Sequence, residues 1–266
     1  MTKIVYLSAS GNTEYLAKYL KNELSNRSEE AEVINLLKIT KNMNLECDHM
    51  ILMCSITAFR VSNRIIKFAK HLTNIKNVSF IAVGCNEYWV NKAATKPLID
   101  IANKNKIPIK LNRVVAMPVN LIYKMSRQQG REVIDAADMK ITQLASDIIC
   151  NKVDVINIPI KSKILLGVGK IETYLAPLFG IDLKANKDCI SCGICWKNCP
   201  MKNIVPSDNA TPKFKFKCSM CLGCIYKCPK KAIHPRLYKF IPFKDGYNVN
   251  EYLTSTDVIT TDSSKL

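Results

Sequence analysis

Two runs of cysteine with the same spacing constrain this chain more than any other feature. Eight of its 12 cysteines lie in CISCGICWKNCP (189–200) and CSMCLGCIYKCP (218–229). Both runs read C-x2-C-x2-C-x3-C-P, so one ligand pattern is present twice. A group of thiolates without histidine or carboxylate suits soft metals, which in proteins means zinc or iron–sulfur clusters.

The spacing inside each run favours iron–sulfur clusters. A zinc site usually takes its thiolates from two separate C-x2-4-C pairs, whereas each run supplies three closely spaced cysteines and a fourth before proline. In two-cluster bacterial domains with this spacing, the last cysteine of each run binds the other cluster. We therefore expect one [4Fe–4S] cluster on Cys189, Cys192, Cys195 and Cys228. We expect a second on Cys218, Cys221, Cys224 and Cys199. Two zinc sites or a disulfide framework are the less favoured alternatives.

The region 185–235 resembles the bacterial ferredoxin domain that holds two [4Fe–4S] clusters. The resemblance implies a small α+β domain, in which the stretch MKNIVPSDNATPKFKFK (201–217) forms a turn and a short strand. Gly193 and Gly223 lie between ligands, where a residue without Cβ lets the backbone approach a cluster closely. We expect both glycines to serve the clusters.

The N-terminal residues predict a different kind of site. KIVYL (3–7) has the apolar character of a buried strand, and EYLAKYLKNEL (14–24) has apolar residues at helical spacing. Between them, SASGNT (8–13) is a loop of small and hydroxyl residues. Free N–H groups and the positive end of a helix converge at such a loop, which makes it a phosphate site. The loop matches neither the P-loop nor the G-x-G-x-x-G motif, which disfavours ATP and NAD.

This loop resembles the phosphate loop of flavodoxins. The positions that carry the resemblance are Tyr6, Ser8, Gly11, Thr13 and Ala17. The resemblance implies that the 5′-phosphate of FMN is held by Ser8, Ser10, Gly11, Asn12 and Thr13. The alternative is an ordinary turn between a strand and a helix.

Strand and helix patterns alternate up to residue 150. The nearly all-apolar run HMILMCSI (49–56) is typical of a central parallel strand, so we expect an α/β fold with a flavodoxin-like doubly wound parallel sheet. Such sheets bind ligands at the carboxyl ends of their strands, which lead here into the loops at 54–60 and 84–91. By the flavodoxin resemblance these loops cradle the isoalloxazine ring. The candidates for stacking on the ring are Phe59, Tyr88 and Trp89.

The chain is expected to have four parts. They are a flavodoxin-like FMN-binding domain at 1–150, a helical linker at 151–184, a two-cluster ferredoxin domain at 185–235 and a C-terminal tail at 236–266. The linker segment at 161–180 predicts a helix that packs one domain on the other and ends at Gly180. Aromatic residues after Ile233 could cover a cluster edge, and residues 254–266 are expected to be frayed.

The net charge of +17 bears on partners. It suits anionic cofactors and redox protein partners, acidic ones in particular. Nucleic acid is disfavoured because no basic stripe with interleaved aromatic residues is present. The apolar run at the start is too short for a signal peptide, and Lys170 and Glu172 interrupt the longest apolar segment. We therefore expect no membrane span and a cytoplasmic protein, whose thiols stay reduced.

Together these patterns resemble the flavodoxin–ferredoxin fusion proteins of anaerobes. The resemblance implies an electron-transfer protein that passes electrons between two [4Fe–4S] clusters and FMN, and so links one- and two-electron redox partners. No acid–base pair or nucleophile triad is evident for a substrate reaction. The cysteines outside the runs are expected to be small buried residues: Cys47, Cys54, Cys85 and Cys150. Two alternatives stay open, a flavin-dependent reductase of a small substrate and a ferredoxin on a flavin-free flavodoxin-like docking scaffold.

Overall fold

The computed structural model describes residues 1–40, 42–243 and 245–253. Its first part alternates strands and helices. They are β1 (Thr2–Leu7), α1 (Asn12–Ser25), β2 (Ala31–Asn35), β3 (Cys47–Thr57), β4 (Arg60–Val61), α2 (Asn63–Ala69), β5 (Ile75–Gly84), α3 (Lys96–Lys104), β6 (Ile109–Ala116), α4 (Arg127–Ile149) and β7 (Asp154–Val155). The sequence did not predict β4 and β7, because a strand of two residues is too short to show a periodic pattern.

Six of these strands form a parallel sheet in the order β2-β1-β3-β5-β6-β7, and β4 pairs antiparallel with the end of β3. With β4 left aside, the first five strands have the order 2-1-3-4-5 of the flavodoxin-like fold. The predicted fold class is therefore confirmed.

Helices cover both faces of the sheet, which explains why its central strands are apolar throughout. Neighbouring residues of a strand point to opposite faces, and accordingly Ile4 packs in one core cluster while Val5 packs in the other. The first cluster lies under α1 and α4, and the second lies under α2 and α3. The strand ends that lead into binding loops are thereby held on a rigid support.

The second part of the chain is a small α+β domain preceded by a long helix. Its elements are α5 (Ile160–Asp182), β8 (Leu183–Ala185), α6 (Ile194–Lys197), β9 (Ile204–Pro206), β10 (Pro212–Phe214), α7 (Gly223–Tyr226) and β11 (Ile233–Pro235). Strand β8 pairs antiparallel with β11, and β9 pairs antiparallel with β10. This is the predicted architecture for the region that carries the cysteine runs.

Helix α5 joins the two domains through a line of small residues. Ser162, Gly169 and Ala176 recur at steps of seven and are buried. A Cβ on Gly169 would overlap the carbonyl oxygen of Ala58 in the first domain, and one on Gly180 would overlap Cys218 in the second. Gly180 was predicted to end the helix, but it lies inside it, where it permits close packing.

The outer face of α5 is apolar and exposed. Ile160, Ile164, Ile171 and Tyr174 are more than half exposed, and an 18-residue window of the helix has a mean hydropathy of 1.4 with 22% of the window buried. By length and composition the helix is therefore able to cross a membrane. This differs from the expectation that Lys170 and Glu172 exclude a membrane span. Length and composition alone do not place it there, and in this structure its inner face packs on both domains.

The segment 245–253 folds back onto the first domain. Tyr247, Val249 and Tyr252 belong to the core beneath α1 and α4, and the ring of Tyr252 lies directly against Gly130 of α4. The prediction of a tail from 236 onwards is thus wrong for these residues. The segment predicted to be frayed, 254–266, lies outside the described residues.

Candidate functional site

The loop before α1 has the properties of a phosphate site. Helix α1 begins at Asn12, after Gly11 with φ of 107°, and no side chain caps its first N–H groups. The Thr13 hydroxyl is buried and has no hydrogen-bond partner among the described residues. A buried hydroxyl without a partner costs free energy, and a phosphate oxygen is a ligand that would satisfy both it and the uncapped N–H groups. The loop therefore fits the phosphate of FMN.

Other residues of this loop are already engaged. The Gly11 N–H donates to Ser8 Oγ (3.2 Å), and Asn120 Nδ2 donates to Ser10 Oγ (2.8 Å). Asn12 Nδ2 donates to the Pro118 carbonyl (3.0 Å), while Asn12 Oδ1 accepts from the Tyr247 hydroxyl (2.6 Å). The Asn12 side chain thus links the loop to the segment 245–253, and a contribution of Asn12 to the phosphate site through its backbone stays a prediction.

A cavity of about 660 Å³ lies between the two domains. Its walls come from the loops after β1, β3, β5 and β6, from α5, and from residues 220–222 of the second cysteine run. The volume and the mainly apolar lining suit a cofactor-sized ligand. Ala58 and Phe59 have φ of 53° and 58°, and this uncommon conformation turns the loop after β3 towards the cavity. The isoalloxazine ring of FMN fits this position.

Of the three aromatic residues predicted to stack on the ring, only Phe59 lines this cavity. Tyr88 is 73% exposed. Trp89 packs on α5, where Lys161 Nζ lies 4.7 Å from its ring centroid and Ser162 Oγ donates to its carbonyl (2.6 Å). The positions of Tyr88 and Trp89 do not support the stacking role, because the start of α5 occupies the side of the loop on which Trp89 lies.

The eight cysteines of the runs surround two separate cavities. The first-run set lines one of them and comprises Cys189, Cys192, Cys195 and Cys228. The second-run set lines the other and comprises Cys218, Cys221, Cys224 and Cys199. Each set thus takes its fourth cysteine from the other run, as the spacing indicates for two clusters. Among the described residues no three His, Cys, Asp or Glu side chains converge on a single-ion site.

The two runs repeat the same backbone conformation. Three equivalent pairs of residues have positive φ: Ser191 and Met220, Gly193 and Leu222, and Lys202 and Lys231. Equivalent N–H groups, of Asn203 and Ala232, donate to Cys199 Sγ (3.2 Å) and Cys228 Sγ (3.3 Å). N–H donors to sulfur tune the potential of a cluster. Both cavities therefore offer the same kind of ligand environment.

Gly223 lines the second-run cavity, in agreement with the role predicted for it, and it also serves a contact between the domains. The residue equivalent to Gly193 in the second run is Leu222, which adopts the left-handed conformation with φ of 58°. A Cβ on Gly223 would lie 3.1 Å from the carbonyl oxygen of Ala9 in the phosphate loop. Gly223 therefore allows the second run to pack on the phosphate loop.

The two sets differ in their exposure. Cys192 of the first-run set is exposed, and its neighbour Ile190 is 56% exposed. In the second-run set, burial raises the pKa of the Cys218 thiol to about 12 and raises that of Cys224 well above its usual value. Such thiols become ligands only when a metal displaces their protons. The second-run set is thus the more buried of the two, and the first-run set contains the exposed cysteine.

The four cysteines outside the runs have different environments. Cys54 is buried and Cys47 half-buried, as expected, but Cys85 and Cys150 are exposed. Cys85 also lines the interdomain cavity. The prediction of small buried residues is therefore wrong for Cys85 and Cys150.

Comparison with known proteins agrees with this division. Residues 188–233 match the family model described as a 4Fe-4S dicluster domain. No curated protein matches the chain. Among solved structures, a flavodoxin of Streptococcus pneumoniae is similar, with 16% identity, a TM-score of 0.40, and coverage of 56% of this chain and 97% of the flavodoxin. Flavodoxin 2 of Bacillus cereus is similar with 19% identity, a TM-score of 0.42, and coverage of 56% and 97%. The chain therefore combines a parallel sheet of flavodoxin-like strand order with a segment that matches a 4Fe-4S dicluster domain.

Proposed function

We propose that this chain is an electron-transfer protein in which electrons pass between FMN and two [4Fe–4S] clusters inside one molecule. One observation carries the proposal: a single cavity is lined by the loops after β3 and β5 of the flavodoxin-like sheet and by residues 220–222 of the second cysteine run. Cys221, a ligand in our assignment, belongs to that wall. FMN in the cavity lies beside the cluster of the second-run set.

The difference in exposure supports an order for the three centres. The second-run cluster is the nearer of the two to FMN, because residues 220–222 line the interdomain cavity, whereas no cysteine of the first-run set does. The first-run cluster lies at the surface beside exposed Cys192 and Lys230. We infer that an external redox protein exchanges electrons there, and that the positive charge of the chain favours an acidic partner.

Cofactor content tests this proposal. Protein purified without air should contain about eight iron atoms per chain, as two [4Fe–4S] clusters require, together with one FMN. After rapid mixing with a limiting one-electron donor, absorbance changes of the clusters should precede those of the flavin. Eight iron atoms without flavin, even after addition of FMN, would favour the docking-scaffold alternative. Reduction of the flavin before the clusters would contradict the proposed order.

Thr13→Val should weaken the binding of FMN by roughly 10- to 100-fold, because a hydrogen bond to a charged group contributes about 1.5–3 kcal/mol. The same change should leave the apoprotein as stable as the wild type or more stable, because it replaces a buried hydroxyl that has no partner among the described residues. Fluorescence titration of the apoprotein with FMN measures the affinity, and thermal unfolding measures the stability.

Thr95→Val provides a matched control for this change. Thr95 is equally buried, but its hydroxyl donates to Asn112 Oδ1 at 2.7 Å. Loss of this hydroxyl leaves the buried Asn112 Oδ1 without its donor, so the free energy of unfolding should fall by about 1–3 kcal/mol. The affinity for FMN should stay the same. An unchanged affinity in Thr13→Val would remove the assignment of the phosphate site.

A further inference from the structure

A second large cavity, of about 510 Å³, lies on the other side of the loop after β3. It shares eight lining residues with the interdomain cavity, Ala9, Thr57, Ala58 and Cys221 among them, but it opens between α2, α5 and the second cysteine run. Its basic residues set it apart, because none of them lines the interdomain cavity or either cysteine cavity.

Basic residues dominate the charged lining of this cavity. They are Arg60, Arg64, Lys67, Lys202 and Lys217, and together they define what we call the basic cavity. Glu172 is the one acidic residue in the lining. The five cations come from both domains: the first three lie on β4 and α2, whereas Lys202 lies between α6 and β9 and Lys217 follows β10. The packing of the two domains against each other therefore concentrates positive charge in the basic cavity.

None of these five cations forms an ion pair with a carboxylate in the described part of the chain, although many other surface lysines and arginines do. Arg60 is half-buried, and its Nε is buried without a hydrogen-bond partner among the described residues. Burial accordingly lowers the pKa of its guanidinium group. An unpaired guanidinium in a partly dry position is unfavourable, and an anion bound to it removes that cost.

We propose that the basic cavity is a binding site for a small organic or inorganic anion, whose carboxylate or phosphate oxygens pair with Arg60. Arginine suits this task because its planar fork binds two oxygens of such a group at once. Lys202 and Lys217 add positive charge to the same lining from the second domain, and Ser62 and Thr173 add neutral hydrogen-bonding groups. The concave shape and the volume fit a small ligand, whereas a protein partner requires an extended surface.

The position of the basic cavity adds a functional consequence. Cys218 and Cys221 of the second-run set belong to its lining, so an anion bound there lies beside the cluster that we place next to FMN. The site therefore suits an anionic substrate or an anionic regulator of electron flow. This consequence rests on the proposed function, whereas the binding of an anion does not.

Calorimetric titration of the full chain, loaded with iron and FMN, tests the proposal. Inorganic phosphate and succinate are the two probes, each at constant ionic strength, and they distinguish a phosphate site from a carboxylate site. At least one of them should saturate a single site per chain. Arg60→Gln should weaken this binding by about 10-fold or more, because it removes charged hydrogen bonds, and Lys217→Gln should weaken it in the same direction.

Two controls separate this site from general effects of charge and from the phosphate loop. Arg127→Gln removes the same charge from an exposed position on α4 outside the cavity and should leave binding unchanged. Loading with FMN before the titration is the second control, because FMN then fills the phosphate loop and the probes cannot bind there. Equal weakening in Arg60→Gln and Arg127→Gln, wild-type affinity in both Arg60→Gln and Lys217→Gln, or no saturable binding of either probe would overturn the proposal. The last result would redirect the search to an acidic protein surface.

Discussion

Cys199→Ala should remove the cluster of the second cysteine run, although Cys199 belongs to the first run. The reason is the crossed arrangement: Cys199 lies at the cavity lined by Cys218, Cys221 and Cys224. Loss of one of four thiolate ligands should lower the iron content from about eight to about four atoms per chain. Iron analysis gives the total, and EPR spectra of the reduced protein show which cluster is lost.

Three companion variants make this result decisive. Cys221→Ala should remove the second-run cluster, so the EPR signal that this variant lacks identifies that cluster. Cys199→Ala should lack the same signal. Cys228→Ala should instead remove the signal of the first-run cluster, because Cys228 lies with the first-run cysteines. Cys150→Ala changes an exposed cysteine outside both runs and should keep all the iron. If Cys199→Ala spared the second-run signal and removed the other, each cluster would be held by a single run.

The fold was predictable from the sequence because its determinants are local. The apolar strands of 2–7, 49–56 and 78–84 carry their own burial pattern, and helices with an apolar face follow them at regular intervals. A parallel sheet is the arrangement that covers both faces of such strands. Spacing within one run does not by itself group the cysteines, because the fourth cysteine of each set comes from the other run. The crossed assignment rests on the resemblance to bacterial two-cluster domains with this spacing.

The contacts between domains were not predictable, because they depend on residues that are far apart in the chain. The spacing of the two runs aligns Gly193 with Leu222, but it does not indicate that Gly223 lies against Ala9 of the phosphate loop. Tyr247 is likewise one of the aromatic residues that could cover a cluster edge, but its hydroxyl binds Asn12 of the first domain. No periodic pattern marks such residues, since each serves a single contact.

Gly169→Ala should therefore lower the stability of the protein and its affinity for FMN, although a glycine-to-alanine change in a helix is usually stabilising. On propensity alone, alanine stabilises a helix by about 1 kcal/mol relative to glycine. At this position, however, the added Cβ would overlap the carbonyl oxygen of Ala58, and a backbone atom cannot move aside by changing rotamer. Overpacking of this kind costs about 1–3 kcal/mol. We expect the melting temperature to fall by several degrees and the affinity for FMN to fall with it, because Ala58 belongs to the wall of the interdomain cavity.

Gly167→Ala is the matched control, on the same helix and two residues away. Apart from the neighbouring backbone of α5, no atom of the described residues lies within 4 Å of the Cβ that it would introduce. Only the gain in helix propensity therefore applies, and stability should stay constant or rise by up to about 1 kcal/mol. Thermal unfolding and titration with FMN compare the two variants directly. Opposite signs for the two changes would show that α5 positions the flavin loop by close backbone packing. Equal changes in stability and in FMN affinity would mean that α5 does not pack closely on the loop after β3. The interdomain cavity would then not have the shape on which the proposed electron transfer from FMN to the second-run cluster depends.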